Sequence, residues 1–233
     1  MKILGFIPAR GGSKRIPKKN IELLNGNPLI AYTIEAAKKS KCINRIVVST
    51  DSEEIALVAK QYGAEVPFLR PKDISKAHST EMEFFEHALD WLAENENYEP
   101  DLIVLLYPTS PFRKPESIDK AIEKMLAYPE ADSLRSVRLC SEHPYKMWII
   151  DGGYLRPFVE TQDANVRTLS YCLLPAVYIQ NASIYITRPS TIRNKKSPIG
   201  DVIIPFIMDE IQSIDINSPL DLQFAEMIAK SQG

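Results

Sequence analysis

A chain of 233 residues, 45% hydrophobic and 25% charged with a formal net charge of -2, has the balance of an ordinary globule and suits one domain with at most a small appendage. The near-neutral charge excludes a general attraction to nucleic acid, so any anion binding must be local. No apolar stretch approaches the roughly 20 residues of a membrane span, and the scattered Cys42, Cys140 and Cys172 lack metal-ligand spacing, which predicts reduced thiols in a cytoplasmic protein.

The apolar run at residues 3–8 predicts a buried strand, and the charged loop behind it predicts no secretory leader. Residues 28–39 predict a helix, with Pro28 in a first helical position and Leu29, Ile30, Ile34 and Ala37 on one stripe. A second buried strand is expected at 45–50, then a helix capped by Asp51 with Glu54 three residues on. Residues 66–69 read as extended, 80–93 as a helix, 102–106 as the most apolar and central strand, and 115–126 as another helix. This alternation predicts an α/β fold with a mostly parallel sheet, whose ligands collect beyond the carboxyl ends of the strands.

The character changes near residue 140. Residues 148–150 and 154–155, joined by Asp151-Gly152-Gly153, predict a hairpin. Residues 160–170 show no period, 177–187 alternate as a strand with an irregularity near Asn181, and 202–208 predict a further strand. Ser218-Pro219 opens the last helix, with Asp221 in its first turn. Residues 140–187 are expected to leave the core as an excursion within a single domain of 1–233.

Two segments carry chemistry. The loop after the first strand holds Arg10, Lys14, Arg15, Lys18, Lys19 and the hydroxyl of Ser13. Gly11 and Gly12 allow its amides to cradle anionic oxygens, and Arg10, Lys14 and Lys19 add full charges suited to a triphosphate. It is not a Walker A sequence, because no Gly-Lys-Ser/Thr follows four residues after a glycine. In Ser213-Ile214-Asp215-Ile216-Asn217 the alternation predicts a strand that places Asp215 and Asn217 on one side. A carboxylate and an amide oxygen there form a partial Mg²⁺ site, a solvated strand end being the other reading. Tyr107-Pro108-Thr109-Ser110-Pro111-Phe112-Arg113 forms a tight turn presenting the hydroxyls of Thr109 and Ser110.

From IPARGGSKRIPKKN through STDSEEIA, VPFLRP, PTSPFR, HPYK and NASIYI to SIDINSPLDLQFAE, nearly the whole chain resembles the acylneuraminate cytidylyltransferases. The resemblance implies a Rossmann-like nucleotidyltransferase core, a homodimer built through the excursion, and Mg²⁺-dependent transfer of CMP from CTP to an acidic nine-carbon sugar, with neither nucleic acid nor membrane as a partner. It also implies that Arg10, Gly11, Gly12, Ser13, Lys14 and Lys19 handle the triphosphate and that Asn20 and Arg70 lie near the nucleoside. Tyr107, Lys146, Asn181 and Tyr185 would line the sugar pocket, and Asp215 with Asn217 would hold the metal. Arg10, Lys19 and Asp215 are the expected catalytic groups.

Departures from the family pattern fall mostly on the acceptor side. Arg15 stands where glycine is common, Asn217 where a second aspartate is, and Tyr107 where a sugar-contacting glutamine is. Tyr171 and Ile179 stand where arginines are expected. These changes suggest a legionaminic- or pseudaminic-type acceptor. A 3-deoxy-manno-octulosonate acceptor, GTP as donor, and a catalytically idle nucleotide-binding subunit are the alternatives.

Overall fold

The first strand is interior to the sheet: β1 (Ile3–Pro8) is buried at every residue and pairs in parallel on both sides, with β4 (Arg45–Ser49) and with β5 (Leu102–Leu105). The computed structural model describes residues 1–231. Between β1 and β4 lie a small hairpin of β2 (Leu23–Leu24) and β3 (Asn27–Pro28) and the helix α1 (Leu29–Lys39). Helices α2 (Glu53–Gln61) and α3 (Glu81–Glu96) precede β5, and α4 (Pro115–Ala127) follows it. Then come β6 (Ser133–Leu139), the hairpin β7 (Trp148–Asp151) and β8 (Tyr154–Pro157), β9 (Tyr178–Thr187), α5 (Pro189–Lys195), β10 (Ile203–Ile207) and α6 (Pro219–Ser231).

The main sheet has the order β10-β6-β9-β5-β1-β4. Its strands are parallel except β9, which runs antiparallel to both β5 and β6. Side chains alternate across β1 and divide the core in two. Ile3 and Ile7 pack with Ile30 and Ile34 of α1, Ile55 of α2 and Ile118 and Ile122 of α4. Leu4 and Phe6 pack on the other face with Phe84, Phe85 and Leu89 of α3 and Ile192 of α5. Each fully buried leucine, isoleucine or phenylalanine contributes about 1.5–3 kcal/mol. A third cluster, Ile16, Leu24, Leu29, Ile216 and Ala225, pins the loop after β1 under α6.

Several expectations need correction. Ser52, not Asp51, caps α2, its hydroxyl accepting from the Ile55 amide, because the Asp51 carboxylate is taken by the Gly11 amide at 2.7 Å. Pro28 sits at the cap of α1, one position before the helix. Residues 213–217 form no strand: Ser213 and Ile214 close turns on Asp209 and Ile211, and the chain beyond bonds other backbone only from Ile216 N–H to Thr109 O at 2.9 Å. The excursion ends earlier than expected, since β9 belongs to the main sheet, and only the chain before it leaves the core. β6 and α5 lie outside the elements that the periodicity predicts; Arg135 and Arg138 mask the apolar pattern of β6, although Ser133 to Ser136 are buried. The hairpin at Gly152-Gly153 is present, with φ of 58° and 85° at the two glycines. The irregularity near Asn181 is also present, as Ala182 adopts φ 53° where the β6–β9 register shifts.

Candidate active site

The carboxyl ends of β1, β4 and β5 open onto a cleft of about 440 Å³. Its walls include Arg10, Ser13, Lys14, Lys19 and Asn20 from the first loop and Arg70 from the segment beside β4. Glu81, Tyr107, Thr109 and Asn217 face the same space. Sequence positions as distant as 10 and 217 are thus gathered at one end of the sheet, where an α/β fold places its ligands.

The cations are held in defined poses. Arg10 donates from Nη1 to the Lys76 carbonyl at 2.6 Å, and the Asn20 amide bonds the Arg10 carbonyl at 2.9 Å. Lys19 is half-buried and donates to Ile216 O at 2.9 Å and to Asn217 Oδ1 at 3.2 Å. Burial pushes its ammonium below the ordinary lysine value of 10.5; Asp215 opposes the shift, while Arg15 and Arg10 add to it. Arg70 is buried, donates to the Ser49 hydroxyl at 3.0 Å and lies 5.3 Å from the centre of the Phe84 ring. Burial pushes its guanidinium down to about 10. Lys18 turns away from the cleft to pair with Glu54 at 2.8 Å.

The Gly11 amide is not free for the expected cradle. The Gly11 amide is spent on Asp51, the Ser13 amide on the Gly11 carbonyl at 3.0 Å, and neither glycine lines the cleft. Charge in this loop therefore comes from side chains. The reason is local: Gly11 packs against Ser52, where an added Cβ would lie 3.2 Å from that side chain.

On the far wall, Asn217 bridges Lys19 and Asp215, its Nδ2 donating to Asp215 Oδ2 at 2.5 Å. Asp215 Oδ1 is buried without a hydrogen-bond partner. A lone orphaned carboxylate oxygen of this kind fits a hard divalent cation that keeps most of its waters and shares phosphate oxygens with a substrate. No group of three or more His, Cys, Asp or Glu suited to a metal occurs among the described residues, so the protein would offer Asp215 within a set of fewer than three such donors. Asp221 anchors the start of α6: burial would raise its pKa, but the amides of Asn217 and Ser218 outweigh that and hold it below the usual carboxylate range.

The residues expected to face the sugar separate. Tyr107 lines the cleft and donates to Glu81 Oε1 at 2.6 Å; burial, then Glu81, pushes its phenol far above the usual range, so it stays protonated. Tyr185 sits behind it, edge-on at 6.3 Å between ring centres. Asn181 is a buried staple, accepting from Ser136 at 2.5 Å and donating to Ser213 at 2.9 Å, and it does not line the cleft. Lys146 lies on the protruding segment, 4.6 Å from the centre of the exposed Tyr171 ring. Of the two hydroxyls in the turn after β5, Thr109 reaches the cleft whereas Ser110 is buried and donates to Ala182 O. Arg113 fixes that turn by bonding the Tyr107 and Ser183 carbonyls, and burial pushes its guanidinium down to about 9. Sequence reading missed Glu81 and Arg135. Glu81 opens an amphipathic helix as any first-turn acid would, and Arg135 lies in β6, whose arginines hide its strand pattern.

The cytidylyltransferase family model matches residues 4–165. A CMP-N,N'-diacetyllegionaminic acid synthase of Legionella pneumophila is 41% identical over 233 residues, covering 98% of this chain and 96% of that protein. An N-acylneuraminate cytidylyltransferase of Escherichia coli is 31% identical over 99% of this chain, which spans about half (53%) of that longer protein. Among solved structures, a CMP:2-keto-3-deoxy-manno-octonic acid synthetase complexed with CTP superposes over the whole chain with a TM-score of 0.72 at 15% identity, a likeness of fold.

Proposed function

The chain belongs to the cytidylyltransferase family and is a nucleotidyltransferase; from that premise we propose that it transfers CMP from CTP to the anomeric hydroxyl of a nonulosonic acid, releasing pyrophosphate. The observation that carries this reading is the single cleft in which Arg10, Lys14, Lys19 and Arg70 converge opposite Asn217. With Arg15 and Lys76, six cationic residues line this one space and match a polyphosphate far better than a neutral ligand.

In this reading Arg70 and Asn20 hold the nucleoside, while Arg10, Lys14 and Lys19 hold the triphosphate. The sugar hydroxyl attacks the α-phosphate in line with the departing pyrophosphate. Lys19, fixed by Ile216 O and Asn217, neutralises charge that grows on the phosphate oxygens. Positioning and electrostatics supply most of the acceleration, since phosphoryl chemistry asks little covalent work of the protein. We propose Mg²⁺ as the cofactor, held through Asp215; when bound, it supplies further neutralisation of the phosphates. The acceptor we propose is of the legionaminic type, supported by the higher identity to the Legionella protein than to the N-acylneuraminate enzyme. The protein is proposed to act as a cytoplasmic homodimer. Free cysteines accord with that compartment, and the exposed apolar hairpin β7–β8 with a second copy as its cover.

Pyrophosphate release tests the reading directly. It should require CTP, stop when divalent cations are chelated, and show a higher kcat/KM with N,N'-diacetyllegionaminic acid than with N-acetylneuraminic acid. Release with GTP in place of CTP would refute the donor, and a preference for N-acetylneuraminic acid would refute the acceptor.

A further inference from the structure

The groups around the cleft sort by strand. Arg10, Lys14, Lys19 and Asn20 follow β1, and Arg70 is tied to the end of β4 through the Thr50 carbonyl at 2.7 Å. Tyr107 follows β5, Tyr185 lies on β9 and Arg135 on β6, all on the opposite side of β1 in the sheet order. If the nucleotide occupies the β1–β4 side, the second substrate meets the β5–β9–β6 side.

That second side contains a linked polar array. Glu81 Oε1 accepts from Tyr107 at 2.6 Å, and its Oε2 lies 3.6 Å from Arg135 Nη2. Arg135 is 4% exposed, lies 4.3 Å from the centre of the Tyr185 ring, and donates to the Pro198 carbonyl at 3.0 Å. Its Nε is buried without a partner. Among these residues Arg135 and Tyr185 are sealed in the fold, whereas Glu81 keeps 29% of its side chain exposed and lines the cleft beside Tyr107. An ionised carboxylate has about four acceptor sites and no donor. Tyr107 fills one and Arg135 faces another, so the array holds the remainder in place on the cleft wall.

We propose that Glu81 is a specificity-determining residue for the acceptor, taking a hydrogen-bond donor on the sugar, an acylamino N–H or a hydroxyl, with Tyr107 and Arg135 as its positioning residues. This rests on the nonulosonic-acid reading above. A fixed carboxylate rewards a donor at that position and penalises an acceptor-only or anionic group, which leaves a lone pair unpaired once the sugar covers it or sets like charges together. The carboxylate of the sugar is therefore directed away from Glu81.

The test compares the full-length wild type with Glu81→Ala and Glu81→Gln, using pyrophosphate release from CTP and N,N'-diacetyllegionaminic acid. If wild type releases none, the reading of the reaction fails and Glu81 is not at issue. With an active wild type, Glu81→Ala should raise the sugar KM tenfold to a hundredfold, the effect of one hydrogen bond to a charged group. The CTP KM should stay within twofold. Glu81→Gln, which keeps an acceptor oxygen, should recover part of the loss, with a residual rise of about threefold. A first-turn glutamate is also favoured by the helix dipole, but that role moves stability and leaves the sugar KM alone. A sugar KM within twofold of wild type in both variants, or sugar and CTP KM rising together, overturns the proposal. Should Glu81→Ala fail to fold, Glu81→Gln decides it by the same split.

Discussion

Lys19 shows how one side chain is prepared for a polyanion. Its ammonium is desolvated by burial, which costs free energy, and two acceptors from the chain around Asn217 offset part of that cost. A desolvated cation interacts more strongly with phosphate than a hydrated one. Lys19→Met should therefore lower kcat by about 10²–10³, the loss typical of removing one transition-state donor, while the melting temperature changes little. Because burial lowers the Lys19 pKa, the free enzyme loses this charge on the alkaline side before an exposed lysine would. The kcat/KM for CTP should accordingly fall as pH rises at values below 10.5, and Lys19→Met should abolish that limb of the profile. An alkaline limb unchanged in the variant would assign it to another group.

At the scale of the element, α3 matters because it delivers Glu81 to the cleft and Phe84 and Phe85 to the core. Its start is fixed by a capping box in which the Thr80 hydroxyl accepts from the Glu83 amide and the Glu83 carboxylate accepts from the Thr80 amide. Thr80→Ala removes half of that exchange and should destabilise the protein by about 1 kcal/mol, lowering the melting temperature by roughly 2–4 °C for a domain of this size. An unchanged melting temperature would show that the tertiary contacts of Phe84 and Phe85 alone hold the helix start. The turn before β10 is constrained differently. Gly200 adopts φ 72°, and a Cβ there would collide with the Asp132 side chain. Asp132 in turn accepts from the Val202 and Asp201 amides and from Lys195, which together hold its carboxyl down to about 2.

For the whole molecule, the main sheet is finished on both faces by helices, yet the segment between β6 and β9 is not covered. Trp148, Ile149, Ile150, Tyr154, Leu155 and Phe158 are all exposed, Ile150 at 77%. An apolar hairpin of this size presented to water marks an association surface. Ile150→Asp should convert a dimer to a monomer in sedimentation velocity at micromolar concentration without loss of the far-UV spectrum. A wild-type protein that sediments as a monomer would remove the proposed dimer.

Much of this protein is written locally. The buried runs of β1, β4 and β5 and the stripes of α1 and α4 are legible because hydrophobic period reports burial directly. The cationic loop is equally legible, because five charges within ten residues after a buried strand need no partner to be noticed. Other features depend on contacts that sequence distance conceals. β6 is buried despite its arginines because β9 and β10 flank it, and Asp215 alternates like a strand yet has no neighbour to pair with. Asn181 has the amide of a ligand-binding residue, but Ser136 and Ser213 bind it within the fold, away from the cleft lining. Glu81 acquires its role only where Tyr107 and Arg135, 26 and 54 positions away by sequence number, close around it. Local pattern determined which elements form and where the charge lies; tertiary structure decided which polar atoms remain free, because a hydrogen-bonding group is available to a substrate only when the fold has not already satisfied it.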